Sequence, residues 1–293
     1  MPPAPFAVDL HDRFFAMTTI SLVAEFRLLF RAILGVIIPF GLLLYFLPGE
    51  TGFYWAWEIL HPRSAILIGA GYLGAIVYYV MLLKQNDWRQ AKNGMGGLIV
   101  FCAMLIIATM IHWDEFKPYH PTTLVWLLFY YVGPIMVPIA YHRQRALPGA
   151  GTVGMTEPEL PLSWRLWLII RGFFYAALAI LWLFTAPSLS AAWPWMIGPL
   201  ELRVFSGQPG IIGWSGLVLL QGGRTWRNCR LGLLLGAAIG ILQVVGLLFG
   251  GGPYYWMTGL GIFLPLMFLE WIATPVLAFL LFEKAPAVNT ASN

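Results

Sequence analysis

A carboxylate stands in the middle of a long apolar run at Leu269-Glu270-Trp271. An ionised acid at the centre of a bilayer costs at least about 2.5–3.5 kcal/mol on insertion scales. Such a group must face protein or water, be paired, or be held protonated. Its possible chemistry is proton coupling, or binding of a cationic or hydroxyl-bearing ligand; the structural alternative is a protonated acid bonded to a neighbouring helix. Gln243 lies at similar depth in the preceding apolar run and is a candidate partner, because sequential helices often touch. Its alternative role is interhelical glue worth about 0.6 kcal/mol.

A second polar group falls in connections between apolar runs. Glu58, His61 and Arg63 share one connection, Glu201 and Arg203 another, and His112, Asp114, Glu115 and His120 a third. Histidines beside carboxylates suggest a metal or catalytic site, but none shows the H-x-x-x-H or H-E-x-x-H spacing that sets ligands on one helical face. Interfacial ion pairing is the competing reading. No resident metal or cofactor is expected. Cys102 and Cys229 cannot form a thiolate cluster, no histidine lies at mid-membrane depth to ligate haem, and no phosphate-binding glycine motif occurs. Gly250-Gly251-Gly252 precedes Pro253 and reads as a turn.

These residues depend on helices that cross a membrane. Of 293 residues, 59% are hydrophobic and only 10% charged, against about 25% charged in soluble domains. A soluble fold and a disordered chain are both excluded, and the net charge of +4 reads as basic loops facing anionic lipid, not as a nucleic-acid surface. A span needs about 20 apolar residues. Eight runs qualify: 28–47, 63–83, 95–113, 122–141, 165–186, 200–221, 232–250 and 259–281. Gly207, Pro209 and Gly210 weaken the sixth, where a kink or unwound segment is expected.

Fourteen of the 17 Lys and Arg residues fall at the termini and in the even-numbered connections, leaving Arg63, Lys117 and Arg203 on the other side. Both termini are therefore expected in the cytoplasm. Arg31 and Arg171, read as first-turn residues, are expected to snorkel to the interface. The stretch ahead of Arg27 carries Asp9, Asp12 and Glu25 and lacks a small-residue cleavage site, so the first span is expected to direct insertion.

The chain also repeats itself. Arg27 and Arg165, Trp55 and Trp193, Trp57 and Trp195, and Trp88 and Trp226 are all separated by the same stretch of sequence. Pro62 and Pro199, like Pro138 and Pro275, fall one position short of that separation. The expected all-α architecture is two tandem parallel four-helix units, because an even number of crossings returns the chain to its starting side. The boundaries are a cytoplasmic segment 1–27, a first unit 28–141, a linker 142–164, a second unit 165–281 and a tail 282–293. The repeated tryptophans Trp55, Trp57, Trp88, Trp193, Trp195 and Trp226 read as headgroup anchors, and the Arg after Trp88 and Trp226 as phosphate contacts. Under the common offset Glu270 and Gln243 fall opposite Val132 and Leu105, so this polar pair belongs to the second unit alone.

The segment from Pro194 to Arg203 resembles a group of multi-pass bacterial membrane proteins of uncharacterised role. Their signature is Pro-Trp-Pro-Leu-Thr-Pro-Leu-Thr-x-Arg, of which Pro194, Trp195, Pro199, Leu200 and Arg203 are kept, with departures at Met196, Gly198 and Glu201. His112-Trp113-Asp114 lends support. The resemblance implies an integral protein of a bacterial inner membrane and brings no activity with it.

Three functions fit the sequence. A non-catalytic scaffold or accessory subunit, with lipid and other membrane subunits as partners, fits the short loops and scarce polar groups. A small-solute or proton-linked transporter fits the repeat with Glu270 and Gln243. An enzyme at the outer interface would use His61, His112, Asp114 and Glu201.

Overall fold

The computed structural model describes residues 20–148, 159–222 and 224–283. The N-terminal Asp9, Asp12 and Arg13, Pro158 of the linker and Lys284 of the tail lie outside them. Among the described residues there are nine α-helices: α1 (Ala24–Phe46), the single turn α2 (Thr51–Tyr54), α3 (Pro62–Gln85), α4 (Trp88–Ile111), α5 (Pro121–Arg145), α6 (Leu162–Ser190), α7 (Pro199–Leu217), α8 (Trp226–Phe249) and α9 (Gly259–Phe282). Seven of them are long and apolar enough to cross a membrane. Large apolar side chains such as Leu28, Leu128, Ile170, Phe184 and Leu280 point outward from them. This is an all-helical integral membrane protein.

Start signals are local. Proline opens α3, α5 and α7, where a missing N–H costs nothing. His61 Nδ1 accepts from Arg63 N–H, Asp87 Oδ1 from Arg89 N–H, and Thr258 Oγ1 from Gly261 N–H, which caps α3, α4 and α9. Asn86, at φ 46°, lets the chain turn within two residues between α3 and α4.

The helix that falls short of spanning hydropathy is α7, the expected sixth span. Fifteen of its 19 residues are buried, so its surface is set by other helices and needs no lipid-like composition. The expected unwound segment at Gly207 and Pro209 is not there. The helix runs through Pro209 to Leu217 and only then tightens into a 3₁₀ turn over Val218–Gln221. Close packing encloses it: a Cβ on Gly216 would collide with Leu168 O, and one on Gly213 would lie 2.8 Å from Ala176 N. The backbones of α6 and α7 therefore touch, as small residues permit.

Helix contacts follow chain order except at the centre. The short-linked α3 and α4 make their extensive contacts elsewhere, α3 with α1 and α8, and α4 with α7 and α5. Helix α7 rests on α6 and α4, and α8 on α3 and α9. Thus α3, α4, α7 and α8 form the centre, with α1, α5, α6 and α9 outside it. The expected close contacts of small residues are present here: a Cβ on Gly74 would lie 2.8 Å from Ile239 N, and one on Gly240 2.9 Å from Phe268 O.

Candidate functional site

Glu270 lies half-way along α9, one helical turn before Thr274. Arg171 and Tyr175 stand one turn apart on α6, and the two pairs meet. Arg171 Nε–H donates to Glu270 Oε1 at 2.7 Å, Tyr175 O–H to Oε2 at 2.6 Å, and Thr274 O–H to Oε1 at 2.7 Å. The guanidinium also lies 5.1 Å from the centre of the Tyr175 ring. The Arg171 side chain is 2% exposed and that of Glu270 26%. One ion pair with two hydroxyl donors offsets the cost of taking both charges out of water. The inner Nη1 and Nη2 of Arg171 are buried without a hydrogen-bond partner.

Two sequence expectations change here. Gln243 is not the partner of Glu270. Its amide donates to Leu67 O at 3.0 Å and to Gln208 Oε1 at 2.5 Å, while Gln208 donates to the same Leu67 oxygen at 3.1 Å. This joins α3, α7 and α8 at one carbonyl. Nor does Arg171 snorkel. Helix α6 begins at Leu162, which puts Arg171 in its third turn with its charge turned inward. The signal for Arg171–Glu270 is a pair of polar residues at i, i+4 on each of two spans. Gln208 sits beside Pro209, in the stretch read as a break.

The outer polar residues do not form one centre. Arg203 donates through Nε to Leu183 O at 3.0 Å and through Nη1 to His112 Nε2. His112 Nδ1 lies 2.6 Å from Glu115 Oε1, which fixes a short Arg–His–Glu chain. Glu201, only 1% exposed, accepts from Leu60 N–H at 3.3 Å, and its Oε2 is without a partner. Arg63 donates to Pro253 O and Gly252 O and lies against the Trp195 and Tyr254 rings. Gly251 and Gly252 have positive φ, so the triple glycine is a turn that presents carbonyls to this arginine. Burial and the Arg63 charge hold the His61 imidazole below its usual pKa. Glu58 and Asp114 are exposed, and Glu58 borders a polar hollow of about 240 Å³ with Glu50. Among the described residues no group of three His, Cys, Asp or Glu could hold a metal ion.

The tryptophans read as headgroup anchors are inside the protein. Trp55, Trp57, Trp88, Trp193 and Trp195 are 0–4% exposed. Trp55 and Trp57 meet edge to face at 5.5 Å, and Trp193 and Trp195 do the same at 5.5 Å. Trp195 N–H donates to Ser64 Oγ at 2.8 Å. Only Trp226 is partly open, with its N–H on Glu283 Oε2 at 2.6 Å. Arg227, expected on phosphate, donates to the buried Asp87 at 2.8 Å. Interface tryptophans and core tryptophans flank helices alike in a sequence, so the belt rule could not separate them.

Two small neighbouring cavities are lined in part by α3 and α4. One, of about 70 Å³, is apolar and aromatic, with Tyr72, Tyr79, Phe101 and Tyr130 in its wall and Gln208 at one side. Tyr72 and Tyr130 share a hydroxyl–hydroxyl bond of 2.8 Å. The other, of about 30 Å³, is also lined by Tyr78, Leu98 and Ile211 and adds Gln90, Asn93 and Asn228. Comparison with protein families, with curated proteins and with solved structures gives no match for this chain.

Proposed function

We propose that this protein is a non-catalytic scaffold or accessory subunit of a membrane complex, built from two parallel four-helix units of which α7 supplies the eighth crossing. The observation that carries this reading is that polar groups at depth bond to one another across helices. Glu270 takes three donors from its neighbours, and Gln208 and Gln243 close on each other and one carbonyl. Side chains locked in this way hold helices in place. Support for the repeat comes from helix starts: Ala24 and Leu162, Trp88 and Trp226, and Pro121 and Gly259 all share the offset of the repeated tryptophans, and Pro62 and Pro199 fall one position short of it. The contacts α3–α8 and α7–α4 exchange under the same offset, as an axis along the membrane normal requires. Charge asymmetry puts both termini in the cytoplasm, and the resemblance at Pro194–Arg203 points to a bacterial inner membrane.

The experiment is extraction in mild detergent with a C-terminal tag. Co-purifying membrane subunits at fixed stoichiometry are expected, and a monodisperse species of this chain alone overturns the reading. Proton-linked transport is the second reading, favoured by the partial exposure of Glu270. It requires that Glu270→Gln abolish proton or solute flux in proteoliposomes, and equal flux in both proteins ends it.

A further inference from the structure

We propose, building on the scaffold reading, that the exposed face of α9 beside Glu270 docks one transmembrane helix of a partner subunit. That helix brings a neutral hydrogen-bond donor, a Ser, Thr, Asn or Gln side chain, to the open side of the carboxylate. The acid has room for one more bond. Oε1 accepts from Arg171 and Thr274, whereas Oε2 accepts from Tyr175 alone, and each carboxylate oxygen has two acceptor sites. The Glu270 side chain is 26% exposed half-way along its span, where hydrocarbon offers no donor. A helix that covers it and supplies the missing bond removes that cost.

The chemistry of the donor follows from charge. Arg171 already neutralises Glu270. A second cation would stand in the bilayer without a counter-charge, and a second carboxylate would be repelled. A hydroxyl or amide group completes the acceptor without adding charge, and such bonds join helices in membranes.

The surface itself has the spacing of a helix seat. Ile262, Leu266, Leu269, Ala273, Val276 and Leu280 are all exposed and recur at alternating intervals of four and three residues, the seam along which a second helix packs. Glu270 borders this stripe, with Leu266 and Ala273 about one turn to either side. Ala273 is short enough to let a neighbouring backbone come near the acid. Helix α6 reaches α9 here through side chains, Arg171 to Glu270 and Trp167 to Thr274, and the two helices make no extensive contact.

The internal repeat supplies a comparison. Under the common offset the stripe falls on Leu124, Leu128, Tyr131 and Ile135 of α5, which are also exposed. There Val132 stands in place of Glu270 and Ile135 in place of Ala273. One unit thus presents a purely apolar face suited to lipid. The other presents the same stripe with an acid at its edge and a small residue beside it.

The test replaces Leu266 by a photo-reactive diazirine residue in the tagged full-length chain, with Leu128 replaced as the control. Membranes are irradiated before extraction in mild detergent. Position 266, and not 128, should form an adduct with a transmembrane segment of a co-purifying subunit. That segment should carry Ser, Thr, Asn or Gln within two turns of the cross-link. Replacing this residue by Ala should lower recovery of the subunit roughly three- to tenfold. Ala273→Trp should abolish recovery, and Ile135→Trp should leave it unchanged. Adducts with lipid alone, an adduct between two copies of this chain, a captured segment without such a donor, or unchanged recovery after its replacement overturns the proposal. If the wild type retains its subunits and Ala273→Trp retains them equally, this surface is refuted and the scaffold reading stands. A wild type that emerges alone refutes both. The cross-link is read without Ala273→Trp, so it decides the matter even if that variant does not fold.

Discussion

Among single side chains, burial converts ordinary residues into committed ones. Arg171 and Glu270 stabilise each other only as a pair. Arg171→Ala should cost about 3–5 kcal/mol, because it strands a carboxylate among apolar helices. Glu270→Gln should cost less, since one amide oxygen at the Oε1 position still accepts from Arg171 and Thr274, while Tyr175 then faces the NH2 group. Arg171→Leu combined with Glu270→Leu should recover much of the loss; thermal unfolding of the four proteins closes the cycle, and additive losses would refute the coupling. His61 gives a pH-dependent effect. Its neutral Nδ1 caps α3, and its pKa is held below the usual value by burial and by Arg63. The unfolded chain therefore takes up this proton first as pH falls. The cap, worth about 1 kcal/mol, is fully present above the unfolded pKa of about 6.5 and is lost as pH falls through the lower folded one. Melting temperature should drop more between pH 7 and pH 5 in the wild type than in His61→Asn, whose amide oxygen caps at either pH. Parallel curves for the two proteins would refute this.

Between helices, the decisive contacts are made by backbones. A side chain on Gly216 has nowhere to go against Leu168 O, so Gly216→Leu should separate α6 from α7 and lower stability by about 1–3 kcal/mol or more. Gly35→Leu is the control, because that position faces open space. A detergent melting series reads both, and equal behaviour of the two variants would contradict the close approach. The same helices show what a sequence reveals. Lengths and positions of the apolar runs were legible, since a bilayer imposes them directly: the reading of 232–250 corresponds to Trp226–Phe249, and 259–281 to Gly259–Phe282. Which polar groups meet was not legible, because pairing depends on rotation about helix axes that length does not specify. Pro209 misled for a related reason. A proline removes one hydrogen bond, but α7 is enclosed on nearly all sides, and its neighbours keep it helical.

Across the full bundle, the arrangement of helices predicts sidedness. Cys102 and Cys229 are both buried, so a cysteine introduced elsewhere can be labelled on a quiet background. Tyr119, 95% exposed before α5, and Arg145, exposed at its far end, should lie on opposite sides of the membrane. A membrane-impermeant maleimide applied to intact cells should modify the Tyr119→Cys protein and spare Arg145→Cys; the reverse pattern would invert the topology. The crossing of α3 to α8 and α4 to α7 also has a consequence for biogenesis. The ribosome finishes α3 and α4 long before it makes α7 and α8, so the inner faces of the early helices enter the bilayer with only lipid against them. Asp87 then waits for Arg227, which is not yet translated. Packing of the first half against the second is accordingly post-insertional.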